Sequence, residues 1–158
     1  MTETVHIRVE TTFADIAADD WDRLSGASRA DAQTPYNPFI SHAFLSSLEE
    51  SGCAVAETGW LGQHLLLEGD DGALLGALPA YLKNHSQGEY VFDHGWADAF
   101  ERAGGRYYPK LQASIPFTPA TGPRLLSRVG QPVLPTQTAL AEGLKELAKR
   151  HGVSSAHV

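Results

Sequence analysis

Apolar and polar positions alternate over residues 5–9, with Val5, Ile7 and Val9 on one side, and predict a short first strand. The period then changes. Across residues 15–25, Ile16, Ala17, Trp21 and Leu24 fall on one helical face that Gly26 closes. Residues 27–37 are polar and read as a loop. A second helix is announced by Ser41 as N-cap, by Ile40 and Leu45 at the spacing of a hydrophobic staple, and by Gly52 as its stop. Phe44, Leu45 and Leu48 are its core-facing positions. Residues 60–68 and 73–83 are apolar runs on either side of Gly69-Asp70-Asp71-Gly72, the pattern of an antiparallel hairpin. Leu65, Leu66 and Leu67 in succession predict a strand buried on both faces. Pro79 cannot donate to a ladder, so it marks a bulge or an unpaired edge.

Further along, residues 89–93 predict another short strand, and residues 96–103 a helical turn or two ended by Gly104-Gly105. Residues 110–117 alternate cleanly, with Leu111, Ala113, Ile115 and Phe117 on one face and Lys110, Gln112 and Ser114 on the other. A Pro/Gly-rich loop through Pro135 leads to the strongest helix, residues 136–151. Its apolar stripe is Leu140, Leu144, Leu147 and Ala148; Lys149, Arg150 and His151 complement the dipole, and Gly152 follows as the C′ residue. Residues 153–158 read as the first half of one more strand. This β-α-α-β-β-β-(short α)-β-α-β order predicts an α/β protein, a mixed α+β sheet with helices on its faces, in one domain spanning residues 1–158.

Composition narrows the function classes. With 158 residues, 42% hydrophobic and 20% charged, the chain builds a core and is not a disordered polymer. A net charge of -7, a sequence pI near 5.4 and no Lys/Arg cluster leave no electrostatic footprint for nucleic acid. No apolar run approaches a membrane span, and MTETVHIRVETTF carries early acidic residues with no apolar core of a signal peptide, so the expected location is cytoplasmic. Cys53 has no partner for an intramolecular disulfide and reads as a small apolar filler. His6, His42, His64, His85, His151 and His157 are scattered without HxxxH or HExxH spacing, so no metal site is expected.

Candidate chemistry concentrates in residues 88–124. Thr118 and Thr121 hydroxyls, the Gly122 N–H and the Arg124 guanidinium could hold a carboxylate or phosphate; the same residues also suit a rigid loop leaving a strand. His94, beside Asp93, is a candidate general base for an amine nucleophile. Asp93 itself reads as the cap of the following helix, since neighbours on a strand point to opposite faces. Tyr107 is a candidate general acid and Lys110 a candidate anion holder, although tyrosines such as Tyr107 and Tyr108 commonly pack with the hydroxyl at the surface.

The segments NPFISHAFLSSLEESG, DGALLGALPAYLKNHSQGEYVFDHGWADAFERAGGRYYPKL and PFTPATGPRLL resemble the FemAB-like (peptidoglycan biosynthesis/recognition) branch of the GNAT acyltransferase superfamily, from about Asn37 onward. The resemblance implies a GNAT-like lobe, incomplete at its C-terminus, as the N-terminal portion of a longer two-lobe protein. It implies transfer of an acyl or aminoacyl group to an amine, such as that of a cell-wall precursor, from an acyl-CoA or aminoacyl donor. The alternative it leaves is a non-catalytic module that binds a peptide or sugar precursor or a partner lobe. His94 and Tyr107 become the catalytic candidates, and Lys110, Thr118, Thr121, Gly122 and Arg124 the substrate contacts. By this resemblance residues 118–124 stand where a GNAT pyrophosphate loop would be, but Pro119 and Pro123 lack the N–H donors such a cradle needs. No cofactor is therefore assigned to this part, and a homodimer or a second lobe is the expected means of completing the sheet.

Overall fold

Three consecutive leucines set the layers. In the computed structural model, which describes residues 5–29 and 34–158, strand β3 (His64–Glu68) sends Leu66 to one side and Leu65 and Leu67 to the other, all three buried. Leu66 joins Phe13, Trp21, Ile40, Leu45 and Leu126. Leu65 and Leu67 join Leu140 and Leu144 of the last long helix. Each such leucine contributes about 1.5–3 kcal/mol relative to exposure, so both faces of the strand are covered, as the run of leucines predicts.

The first sheet has the order β1 (His6–Glu10), β3, β4 (Leu74–Leu78), β7 (Leu126–Ser127), antiparallel throughout. The predicted hairpin is present, but its two arms do not stay in one sheet. The arm 60–68 breaks at Gln63 into β2 (Leu61–Gly62) and β3, and the arm 73–83 breaks at Pro79-Ala80 into β4 and β5 (Tyr81–Lys83). Pro79 has no N–H to give a ladder; at the bend Gln63 N donates to Ala80 O at 2.8 Å and Ala80 N donates to the His64 ring at 3.4 Å. Beyond the bend, β2 and β5 begin a second four-stranded sheet, β2-β5-β6-β8, with β6 (Lys110–Gln112) antiparallel to β5 and β8 (Ala156–His157) parallel to β6. The single mixed sheet of the sequence reading is thus two sheets sharing a bent hairpin; the mixed α/β class stands.

Helices α1 (Ala18–Asp22) and α2 (His42–Glu50) cover one face of the first sheet. Helix α1 is shorter than residues 15–25 because Thr12 caps a separate 3-10 turn at Phe13–Asp15 and Ile16 is extended. Helix α2 matches its signals: Ser41 Oγ accepts from Phe44 N, Ile40 and Leu45 are fully buried, and Gly52 takes a φ of 75°. Helix α3 (His94–Arg102) begins two residues earlier than expected, and α4 (Val133–His151) three, with Pro135 in its first turn, where no N–H is required. Residues 89–93 are not a strand: they are irregular, and among the described residues no strand pairs with them. Strand β7 lies inside the expected loop, where Leu126 is drawn into the core beside β4. Cys53 is exposed, not a filler. The middle of the polar loop 27–37 and the first residues of the chain lie outside the described residues. Among the described residues no helix is long and apolar enough to cross a membrane.

Because Leu66 is fully enclosed between β3 and the α1/α2 layer, Leu66→Ala is expected to lower unfolding stability by about 2–5 kcal/mol in urea denaturation; a loss below about 1 kcal/mol would show that this layer is loosely packed.

Candidate functional site

Strand β5 ends on Lys83 and β6 begins on Lys110, and the antiparallel register sets the two lysines directly opposite one another. Both are buried, 0% and 1% exposed. Like charges opposed across a ladder repel, and a buried ammonium without a partner is costly. The 26 residues between β5 and β6 answer both problems. They leave the sheet, pass through the irregular segment 84–93 and α3, and bring Glu89 and Asp93 back over the lysines. Lys110 Nζ donates to Glu89 Oε2 at 2.8 Å and to Asp93 Oδ2. Tyr107 donates its hydroxyl to Asp93 Oδ2 at 2.9 Å, and Tyr108 donates to Oδ1. Lys83 Nζ donates to Gln87 O at 2.8 Å and sits 3.5 Å from the centre of the Trp60 ring.

The electrostatics follow from this arrangement. Burial alone would raise the Asp93 carboxyl, but the hydrogen bonds from Lys110, Tyr108 and Tyr107 outweigh it and hold the group well below the ordinary carboxylate range. Burial and the bond to Asp93 push the Tyr107 hydroxyl up, and the same two causes take Tyr108 to about 12. Both phenols therefore keep their protons as donors to Asp93. Burial lowers Lys83 to about 8; Glu89 and Asp93 oppose the shift, and Lys110 adds to it.

Beside this cluster lies a cleft of about 670 Å³. Its floor is the polar face read from the alternation of residues 110–117, namely Lys110, Gln112 and Ser114. Thr118 and Arg124 also line it, Tyr90 and Trp96 stand exposed at its rim, and Ser155 and His157 line it beside β6. Ser155 Oγ and His157 Nε2 are 2.8 Å apart. Burial holds His157 below the ordinary histidine range; Lys110 adds to this, while Asp93 and Glu89 oppose it. Two acceptors at the cleft, Glu89 Oε1 and Gln112 Oε1, are buried with no hydrogen-bond donor among the described residues. A smaller groove of about 290 Å³ runs past Thr12, Glu49 and Trp60. There the Glu49 carboxylate is already filled by Thr12 Oγ1, Phe13 N and His64 Nε2, at 2.9, 2.7 and 3.0 Å.

Of the residues singled out from sequence, Tyr107, Lys110, Thr118 and Arg124 line the one cleft. His94, Thr121 and Gly122 do not. His94 is the first residue of α3, exposed, with its ring 5.5 Å from that of Phe92, and it faces a separate depression with His85 and Asp98. Thr121 is exposed and its carbonyl accepts from Asn37 Nδ2 at 3.0 Å. A Cβ on Gly122, at φ 147°, would fall 2.4 Å from that same nitrogen, so this pair fastens the loop to Asn37. Arg124 reaches the cleft but gives hydrogen bonds to Ala120 O, Gly122 O and Pro123 O at 2.6, 3.0 and 3.3 Å. The loop 118–124 runs into β7, not into a helix N-terminus, which departs from the pyrophosphate-loop placement implied by the resemblance. Asp93 stands at the N-cap of α3 yet makes no side-chain cap bond, because its carboxylate is taken by Lys110 and the two tyrosines.

Sequence reasoning missed Lys83, Glu89, Ser155 and His157. A signal for Lys83 was present: one predicted strand ended on Lys83 and another began on Lys110, and pairing those strands antiparallel sets the lysines face to face. Ser155 and His157 carry no such mark, since their place depends on the parallel pairing of β8 with β6.

In comparison with known proteins, a family model described as FemAB-like, peptidoglycan biosynthesis/recognition, matches residues 12–158. No curated protein and no solved structure matches the chain.

The lowered Lys83 sets a pH signature. The unfolded chain holds the Lys83 proton up to its ordinary range near pH 10.4, whereas the folded chain releases it near 8. Between about pH 8 and 10 the unfolded state binds more protons, so stability is expected to rise with pH across that window. Urea midpoints measured across it should climb in the native protein and lose that rise in Lys83→Met; an unchanged rise in the variant would assign it to another group.

Proposed function

The chain belongs to the FemAB-like family of peptidoglycan biosynthesis/recognition, and from that premise we propose that the cleft holds the amine-bearing peptide of a cell-wall precursor while an acyl or aminoacyl group is transferred to that amine. One observation carries the proposal: Glu89 and Gln112 each offer the cleft a buried oxygen with no donor. An amine supplies the missing N–H groups, and an ammonium is drawn to the Glu89 carboxylate as well.

Transfer needs the amine uncharged and aimed at the donor carbonyl. His157, held below its ordinary range by burial and by Lys110, is neutral at neutral pH and has a free base to offer. Its Nε2 bonds Ser155 Oγ, so the serine hydroxyl can carry the proton from the attacking nitrogen to the ring. Nitrogen then forms the bond to the carbonyl carbon, and the leaving group departs with the proton that His157 returns. Thr118 and the donors of Arg124 not engaged by loop carbonyls also line the cleft and serve the carboxylate of the peptide or the developing oxyanion. Lys110 and Tyr107 act by fixing Asp93 and Glu89 in place.

We further assign the fold to a GNAT-like lobe, with which the mixed α/β architecture is compatible, and take residues 1–158 as one domain of a two-lobed, cytoplasmic acyltransferase. A second lobe or a second copy would bring the donor, because Pro119 and Pro123 deprive the loop beside the cleft of N–H groups for a pyrophosphate. That same loop favours a second reading, recognition of the precursor without transfer.

Calorimetry with a stem peptide bearing a free side-chain amine, and with the same peptide N-acetylated, separates these ideas. The amine form is expected to bind at least about ten-fold tighter, a difference of about 1.4 kcal/mol; equal affinities would overturn the amine assignment. Where transfer is detected by mass spectrometry, His157→Gln is expected to slow it by about 100- to 10,000-fold with binding unchanged. Amine-selective binding with no transfer from any acyl donor would select the recognition reading.

A further inference from the structure

Strand β8 is two residues long and lies at the edge of the second sheet, yet it and the residue before it supply His157 and Ser155 to the cleft. Two backbone bonds hold this segment to β6: Leu111 N donates to Ser155 O at 2.9 Å and Ala113 N to His157 O at 2.8 Å. So short a strand frays unless something else ties it down. Ser154 supplies the ties. Its N–H donates to Pro109 O at 3.3 Å, and its hydroxyl donates to Tyr107 O. The other end of Tyr107 is the hydroxyl that donates to Asp93. Tyr107 thus joins the Glu89–Lys110–Asp93 cluster to Ser154, and through it to the Ser155–His157 pair.

A carbonyl oxygen only accepts, so the Ser154 hydroxyl hydrogen is committed to Tyr107. Towards Ser155 Oγ, 3.3 Å away, Ser154 Oγ is therefore an acceptor and nothing else. Ser155 has one hydrogen and two neighbours able to take it, Ser154 Oγ at 3.3 Å and His157 Nε2 at 2.8 Å. The shorter bond sets the resting arrangement: Ser155 donates to Nε2, and the neutral ring carries its own hydrogen on Nδ1.

We propose, resting on the acyl transfer proposed above, that Ser154 is a positioning residue: it holds the Ser155–His157 pair in register with Glu89 and takes the Ser155 hydroxyl once a proton has passed to the ring. As the amine nitrogen bonds to the carbonyl carbon, it gives one hydrogen to Ser155 Oγ while the original Ser155 hydrogen moves to His157 Nε2. The ring is then protonated on both nitrogens, and Nε2 becomes a donor to Ser155 Oγ. The hydrogen newly on Ser155 needs a different acceptor, and the lone pair of Ser154 Oγ stands ready for it. The movements reverse when the leaving group takes its proton. Ser154 does not line the cleft, so it acts through Ser155 and not on the ligand.

Proton–nitrogen NMR of the full chain labelled at histidine reads the arrangement directly, with His157 assigned by its loss in His157→Gln. At neutral pH His157 is expected as a neutral ring with its hydrogen on Nδ1. A hydrogen found on Nε2 would mean that Ser155 already donates to Ser154, and would overturn the proposal even if no Ser154 variant folds. Ser154→Ala is expected to turn the His157 signal into an average of both tautomers, and Ser154→Thr, which keeps the hydroxyl, to retain the native signal. In the transfer assay Ser154→Ala is expected to lose about 10- to 100-fold in kcat with KM changed less than about two-fold, and Ser154→Thr to recover most of the loss. A purely structural serine would instead lower the urea midpoint and move KM along with kcat. Native kcat and a native His157 signal in Ser154→Ala would also sink the proposal. If the native protein transfers no acyl group but the His157 signal follows Ser154 as stated, the positioning stands and the proposed reaction falls.

Discussion

Two lysines face each other at the point where β5 meets β6, and neither has access to water. Nothing in a sheet tolerates that without compensation, so the excursion 84–109 is bound to return with negative charge. Glu89 and Asp93 meet Lys110, Tyr107 and Tyr108 complete the Asp93 carboxylate, and Lys83 settles on Trp60 and the Gln87 carbonyl. Buried ion pairs are seldom strong sources of stability, because desolvation offsets the attraction. Their effect here is on shape: the excursion can lie over the second sheet in only a few ways that satisfy both lysines.

That arrangement creates the cleft as a by-product of satisfying charge. The bend at Gln63 and Pro79-Ala80 separates the second sheet from the first, whose face α1 and α2 cover, and the polar residues Lys110, Gln112 and Ser114 line the cleft. The excursion then lines part of this cleft, and its aromatic residues stand at the edge. Glu89 links the two roles. One of its oxygens is spent on Lys110 and the other has no donor among the described residues. A carboxylate that is half engaged and almost wholly buried is suited to holding an amine, since the second oxygen gains a partner only when a ligand arrives.

How much of this was legible in the sequence depends on whether the information is local. The Ser41 cap, the Ile40–Leu45 staple and the two-sided burial of the leucine run are decided within a few residues, and each is present. The alternation over residues 110–117 placed Lys110, Gln112 and Ser114 on one face, which is the floor of the cleft, even though only three of those residues pair as a strand. The reading of residues 89–93 as a strand failed for a physical reason. Apolar residues in an extended run also suit a ligand-facing rim, and periodicity alone does not say whether a sheet edge is waiting. Helix α1 was overextended because a capped 3-10 turn and a helix share the same apolar spacing over so few residues. Asp93 was assigned to a cap because its rival partners, Lys110 and the tyrosines, are 14 to 17 positions away. His157 was invisible because its role depends on a parallel strand pairing that no local pattern encodes.

A structure of the protein crystallised with an amine-bearing stem peptide tests the central claim most directly. The account predicts the peptide along the floor at Lys110, Gln112 and Ser114, with its amine nitrogen within about 3.2 Å of Glu89 Oε1. A peptide seated elsewhere, for instance in the groove past Thr12 and Glu49, or one in the cleft with its amine directed away from Glu89, would contradict it.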